Sequence, residues 1–323
     1  MHSNNSLNRR SARAAAVFCA AMAIGASAFA VEYTTEDYKR AVATCMRVND
    51  FECAAKNWRQ ILRLRPDDTA AMVNLGLLLS WRDDQKGAIV QYERAISLGE
   101  GAYNLFAYYA DSLGKVGRID EAIDWSYKTL SVVPTLVDVR GNLAKLLLHQ
   151  KRYYEALSLL ESYDDFLLSN GNQAYFAGQR IAIETVIDKN GDGVTVESKS
   201  LRLPKLNNTF YAPLTIGVAK PSGFIVDTGA NRLAISEEYL AQSKVSYKNA
   251  GSGTATMADG HRVTARAITL SSVRVGPYEI KNVPAIVCKD CKLLLGQSLL
   301  TKFDMTSVKV QGVEFMTLAP RKL

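Results

Sequence analysis

The sequence predicts a multidomain chain of α plus all-β type, an N-terminal α-helical solenoid followed by a closed β-barrel. Three observations carry this. Alanines recur at a fixed interval through the first half, short alternating segments broken by Gly, Pro and Asn fill the last third, and a polar stretch near residue 190 separates the two textures. At 323 residues the chain has room for two domains, and 48% apolar with 22% charged residues is an ordinary globular composition that excludes general disorder.

Residues 1–30 stand apart. Arg9, Arg10 and Arg13 precede an uncharged, Ala-rich stretch from Ala14 that ends in Ala28-Phe29-Ala30, the layout of a cleaved Sec-type signal peptide with small residues flanking the cut. That stretch is short and poor in large side chains for a membrane anchor, which takes roughly 20 apolar residues. Phe18 before Cys19 departs from a lipoprotein signal, and the arginine pair lacks the rest of a twin-arginine signal. The mature protein is therefore expected to be periplasmic or otherwise exported, with no stable membrane span. Cleavage removes three arginines and no acids, so the net charge of +7 becomes +4. No basic run interleaved with aromatics survives, so nucleic acid is not an expected partner.

Four cysteines follow the signal: Cys45, Cys53, Cys288 and Cys291. In an oxidising compartment they permit two disulfides, and of the three connectivities sequence proximity favours Cys45 with Cys53 and Cys288 with Cys291. The Cys-x-x-Cys spacing also suits a redox pair or half a zinc site. With no second such pair and the three histidines scattered, structural bracing is the plainer reading, and no metal or cofactor is expected.

Ala54, Ala88, Ala122 and Ala156 lie 34 residues apart, each in a helical pattern after a polar turn. A fixed period of this length marks stacked supersecondary units. Leu75-Gly76 and Leu79 precede Ala88, Tyr92 and Ala95; Tyr109-Ala110 and Leu113 precede Ala122; Leu143-Ala144 and Leu147 precede Ala156. Pro66 and Pro134 stand where a second helix ends, because proline cannot continue one. This pattern resembles the tetratricopeptide (TPR) repeat. The first unit, with Ala41, Val42 and Cys45, is degenerate. A TPR helical domain is thus expected over residues 31–187, with repeats near 35–68, 69–102, 103–136 and 137–170 and a capping helix from Gln173 to Ile187. The resemblance implies a concave groove for a peptide or protein partner, against the blander reading of a spacer.

Residues 188–204 read as a linker. Asp188, Asn190, Asp192 and Gly193 match the start of a calcium-binding EF-hand loop, but Lys199 stands where the bidentate Glu belongs, so a polar turn is the expectation.

From residue 205 to 323 the texture is that of short strands: Tyr211 to Val218, Gly223 to Val226, Thr254 to Ala258, His261 to Ile268, Ser272 to Val275 and Glu279 to Val287. The apolar run Phe224-Ile225-Val226 leads directly into Asp227-Thr228-Gly229-Ala230. Such a tripeptide alone is an ordinary turn. Its context raises it: a hairpin turning at Asp259-Gly260 follows, and then Leu293-Leu294-Leu295-Gly296 with a short helical run from Gln297 to Lys302.

In that order and spacing, these features resemble the retropepsin-like (clan AA) aspartic proteases, in particular the exported bacterial members, over about residues 205–318. The resemblance implies that Asp227 is the catalytic carboxylate, supported by Thr228, Gly229 and Ala230. It makes Leu294, Leu295 and Gly296 a segment crossing beneath the loop, and Met257, Ala258, Asp259 and Gly260 a flap. Asn231 departs from the Thr or Ser frequent in bacterial relatives. The chemistry needs two carboxylates sharing one proton, one to activate water and the other to protonate the scissile carbonyl. The chain has a single Asp-Thr-Gly, so the second carboxylate must come from another copy, and a homodimer is expected. The pattern from Val308 to Phe315 suits either strands in that interface or an internal hairpin. The expected function is an exported aspartic-type endopeptidase, a hydrolase of protein or peptide substrates. The alternative is an inactive TPR scaffold that uses its β-domain to dimerise.

Overall fold

The computed structural model of the protein describes residues 33–190, 200–206, 208–219, 221–256, 262–289 and 291–321. The signal-peptide reading and most of the calcium-like stretch therefore lie outside the described residues, as do Met257, Ala258, Asp259 and Gly260.

The N-terminal half is an array of helical hairpins. Its helices are α1 (Thr35–Arg47), α2 (Phe51–Leu64), α3 (Thr69–Trp81), α4 (Gln85–Ser97), α5 (Tyr103–Lys115), α6 (Ile119–Val132), α7 (Val137–His149), α8 (Tyr153–Ser169) and α9 (Ala177–Asn190). They pair as hairpins α1–α2, α3–α4, α5–α6 and α7–α8, each packed on the next, with α9 against α8. The early helices start where side chains satisfy the free amides. Thr34 and Asp37 form a reciprocal capping box, and Asp50, Asp68 and Asp84 accept from the amides of Cys53, Ala71 and Gly87. The four periodic alanines are each fully buried, and their small side chains let the paired helices close. At Gly76 on α3 the approach is tighter still, for a Cβ there would lie 2.5 Å from the Tyr92 ring. Cys45 and Cys53 are joined across the α1–α2 turn, with Cα atoms 5.7 Å apart.

The C-terminal half is β-rich. Its strands are β1 (Leu201–Leu206), β2 (Thr209–Thr215), β3 (Ser222–Val226), β4 (Leu233–Ser236), β5 (Tyr247–Thr256), β6 (Arg262–Val275), β7 (Tyr278–Cys288), β8 (Leu294–Leu295), β9 (Phe303–Val310) and β10 (Val313–Pro320). Two short helices interrupt them, α10 (Glu237–Ser243) and α11 (Gln297–Leu300). The hydrogen-bonded order is β5-β6-β7-β4-β8-β3-β2-β1-β10-β9, and a further β6–β2 pairing links six of these strands into a ring. Phe224, Leu233, Ile235, Ile268, Val273, Val287, Leu295 and Leu299 fill the space inside, all with at most 1% exposure.

Several elements differ from the sequence expectation. The helix read as ending at Ile187 continues to Asn190, and β1 begins at Leu201, inside the span read as a linker. Pro204 disguised β1, since proline within a run argues against a strand; here it sits opposite Phe315 of β10. The stretches read as His261 to Ile268 and Ser272 to Val275 are, over their described residues from Arg262, one strand, β6, which serves β5, β7 and β2 in turn. The segment from Val308 to Phe315 forms an internal hairpin of β9 with β10.

The two halves share a core. Leu206, Val313 and Phe315 of the β half belong to one buried cluster with Ile123, Tyr127, Leu157 and Leu160 of the helical half. Tyr127 meets Phe315 edge-on at 5.0 Å between ring centroids, and the Arg202 guanidinium lies 3.7 Å over the same ring while reaching Asp124 at 3.7 Å. At 17 residues, α8 outruns the other helices of the array, and it lies against β1, β2 and β3.

Candidate active site

The candidate site is built where β3 ends. Its backbone is clamped to the later apolar stretch: the Ile225 amide donates to the Leu293 carbonyl at 3.0 Å and the Asp227 amide to the Leu295 carbonyl at 3.1 Å. β3 runs parallel to β8, with Ile225 opposite Leu294 and Val226 opposite Leu295. On its other side β8 meets β4 at Ala234. Leu294 and Leu295 thus pass between the strand that enters the Asp227 loop and the strand that leaves it.

Gly296 is where the crossing is closest. A Cβ at this position would stand 2.3 Å from the Arg232 carbonyl oxygen and 2.7 Å from that of Ala230, so only glycine fits. Within the loop, Asp227 Oδ1 accepts from the amides of Gly229 at 2.8 Å and Ala230 at 3.2 Å. These bonds fix the carboxylate against its own turn. Asp227 is half-buried, while Thr228 and Gly229 are exposed. The structure therefore brings together Asp227, Thr228, Gly229, Ala230, Leu294, Leu295 and Gly296, and presents the loop at the surface.

Two residues beyond the expected set also grip this loop. The Gln297 amide donates to the Ala230 carbonyl at 2.8 Å, and its side-chain Nε2 donates to the Thr228 carbonyl at 2.9 Å. Ser298 donates its amide to the Asn231 carbonyl at 3.2 Å and accepts the Leu233 amide on Oγ at 2.9 Å. The sequence shows this stretch as a short helical run from Gln297 to Lys302, and the polar pair opening it directly after Leu-Leu-Gly is the local signal for these contacts.

Cys288 and Cys291 form a disulfide at the start of the crossing segment. Both are buried and pack with Ala265, Ala255 and Val263, on the strands whose connection carries the expected flap. The last described pair of that hairpin is Thr256 with Arg262.

Behind β3 lies a buried ionic group. Glu161 on α8 is 3% exposed and packs under Gly223, and neither of its carboxylate oxygens makes a hydrogen bond. Arg180 on α9 approaches it to 3.6 Å and Asp164 to 3.1 Å. Burial pushes the Glu161 carboxyl well above the usual carboxylate range, with Glu184, Asp164 and Asp165 adding to the rise and Arg180 opposing it.

In the helical array, the space between α5, α6 and α7 holds a cavity of about 280 Å³ lined in part by Asp111, Lys115, Ser126, Asn142 and Lys145. Among the described residues, no helix is long and apolar enough to cross a membrane.

Over residues 213–302 the sequence matches the family model described as "gag-polyprotein putative aspartyl protease", a retropepsin-like aspartyl protease family. No curated protein matches the chain's sequence. Among solved structures it resembles MamA at 19% identity, covering 36% of this chain and 69% of that one with a TM-score of 0.35. It also resembles YrrB, described as a TPR protein with an unusual peptide-binding site, at 20% identity, covering 39% of this chain and 66% of that one with a TM-score of 0.37. A second MamA structure gives 14% identity, 48% and 88% coverage and a TM-score of 0.39.

Proposed function

We propose, proceeding from the aspartyl protease family match over residues 213–302 and the Asp227 loop pinned above Leu294-Leu295, that the protein is an exported aspartic endopeptidase acting as a homodimer. The observation that carries this reading is the loop itself. The two amide bonds to Asp227 are those of an ordinary Asx turn; what sets this loop apart is Leu294-Leu295-Gly296 passing between the strand that enters it and the strand that leaves it.

In this reading the ring of strands is the closed barrel of a retropepsin-like domain, and Asp227 of each copy supplies half of the dyad. One carboxylate, ionised, takes a proton from water as the water oxygen attacks the scissile carbonyl; the other, protonated, gives its proton to the carbonyl oxygen. Collapse of the tetrahedral centre then breaks the C–N bond, with a proton passing to the leaving amine. Two like charges held close cannot both ionise, so the pair titrates as a unit. Thr228 and Gly229, exposed in a single chain, are the surface the second copy covers. The outer edge of β9, which ends the strand order, offers a further place for strand pairing between copies.

The TPR-like array supplies a surface for a peptide or protein partner, and the N-terminal signal directs the chain to the periplasm or beyond. The test is cleavage of unfolded casein by purified mature protein, with its oligomeric state measured alongside. Asp227→Asn lowers cleavage at least about a hundredfold, and a pepstatin-type inhibitor lowers it in the wild type. Undiminished cleavage by Asp227→Asn would overturn the mechanism. A dimer that cleaves nothing would leave the scaffold reading in its place.

A further inference from the structure

We propose that Gln297 is a positioning residue for Asp227, acting through the peptide group that joins Thr228 to Gly229. Its bearing on catalysis rests on the aspartic-protease reading above; the contact itself is open to measurement without substrate.

The Thr228 carbonyl and the Gly229 amide belong to one planar peptide unit. At one end of that unit Gln297 Nε2 donates to the carbonyl at 2.9 Å, and at the other the amide donates to Asp227 Oδ1 at 2.8 Å. The three groups form a chain that runs from the Gln297 side chain, through the peptide, to the carboxylate. A donor on a peptide carbonyl polarises the unit and makes its N–H a stronger donor, so hydrogen bonds in such a chain reinforce one another by about 10–30% each. A stronger donor favours the ionised form of the carboxylate that accepts from it.

Loop fixation alone does not require this side chain. The main chain of α11 already holds the loop through the Gln297 amide on Ala230 and the Ser298 amide on Asn231, and Ser298 Oγ takes the Leu233 amide. What Gln297 Nε2 adds is a fixed donor on an exposed carbonyl that water would otherwise serve. In a dimer that covers the loop, water is excluded, and a fixed donor keeps its bond where a solvent molecule would be lost. Glutamine donates there without bringing a charge near the dyad.

The experiment uses the full mature chain, ¹⁵N-labelled, as wild type, Gln297→Met, which has similar length and no donor, and Gln297→Leu, which likewise brings neither donor nor charge. The Gly229 amide proton is followed by NMR across pH, and casein cleavage is measured over the same range. In both variants the Gly229 amide proton moves upfield, and the pH midpoint of its shift change rises. The acid limb of the cleavage profile rises with it, and kcat falls while KM holds. A merely structural residue would leave the titration midpoint in place. If Gln297→Met fails to fold, Gln297→Leu carries the comparison. An unchanged Gly229 shift and midpoint in a folded variant overturns the proposal. A shifted midpoint in a protein that cleaves nothing upholds the relay and counts against the protease reading instead.

Discussion

Gly296→Ala tests the geometry of the candidate site most directly. The added Cβ would stand 2.3 Å from one main-chain oxygen and 2.7 Å from another, where ordinary contact begins at 3.4 Å. Relief takes 3.4 − 2.3 = 1.1 Å of movement at Arg232 and 3.4 − 2.7 = 0.7 Å at Ala230. Neither obstacle is a flexible side chain. Overpacking of this kind costs about 1–3 kcal/mol, and loss of the hydrogen bond from Gln297 to Ala230 adds about 1 kcal/mol. The sum, roughly 2–4 kcal/mol, corresponds to a fall in Tm of roughly 3–7 °C for a chain of this size. Because a displacement near 1 Å at a reacting group costs about a hundredfold, cleavage should fall by that order even at temperatures where the variant stays folded. Circular dichroism melts and casein cleavage below the melting range read both. A Tm within about 1 °C of wild type, with cleavage intact, would refute the claim that β8 must pass this close beneath the Asp227 loop.

Glu161→Gln should flatten the pH dependence of stability. With the folded carboxyl raised, folding takes up a proton, so stability is full below the ordinary carboxylate range and is lost as pH climbs through the folded value, by up to about 1.4 kcal/mol per pH unit. Melts across pH should show the variant overtaking wild type on the alkaline side, and parallel curves would sink the idea. Phe315→Ala removes a fully buried ring shared by the two halves and should cost about 3–5 kcal/mol, lowering the melting of helical and β signals together in near- and far-UV circular dichroism. Loss confined to the β signal would show that the halves unfold independently.

The parts of the fold legible in the sequence were those with a strict period or a forced residue. Ala54, Ala88, Ala122 and Ala156 mark the hairpins because a small residue is needed wherever two helices close, and Leu294-Leu295-Gly296 is legible because the crossing tolerates little else. What escaped notice lacked such compulsion. β1 carries a proline that its place in the sheet accommodates, and β5, rich in Gly and Ser, is exposed along most of its length and so shows no alternation. β4 and α10, at four and seven residues, are too short for periodicity, though Ser236 followed by two glutamates was a helix-start signal. Gln297 and Ser298 act through contacts with residues more than sixty positions away, which no local pattern encodes.

The packing of Phe315 between Tyr127 and Arg202 has a consequence for how a substrate would be chosen. Were the array tethered by a loose chain, the cutting site would sweep a volume set by linker length, and any bond within reach would be a target. With one core running through both halves, the distance from a segment held between α5 and α7 to Asp227 is a constant of the molecule. Under the proposed protease reading, the array would work as a ruler, selecting the bond to be cut by how far along the chain it lies from the segment that is held.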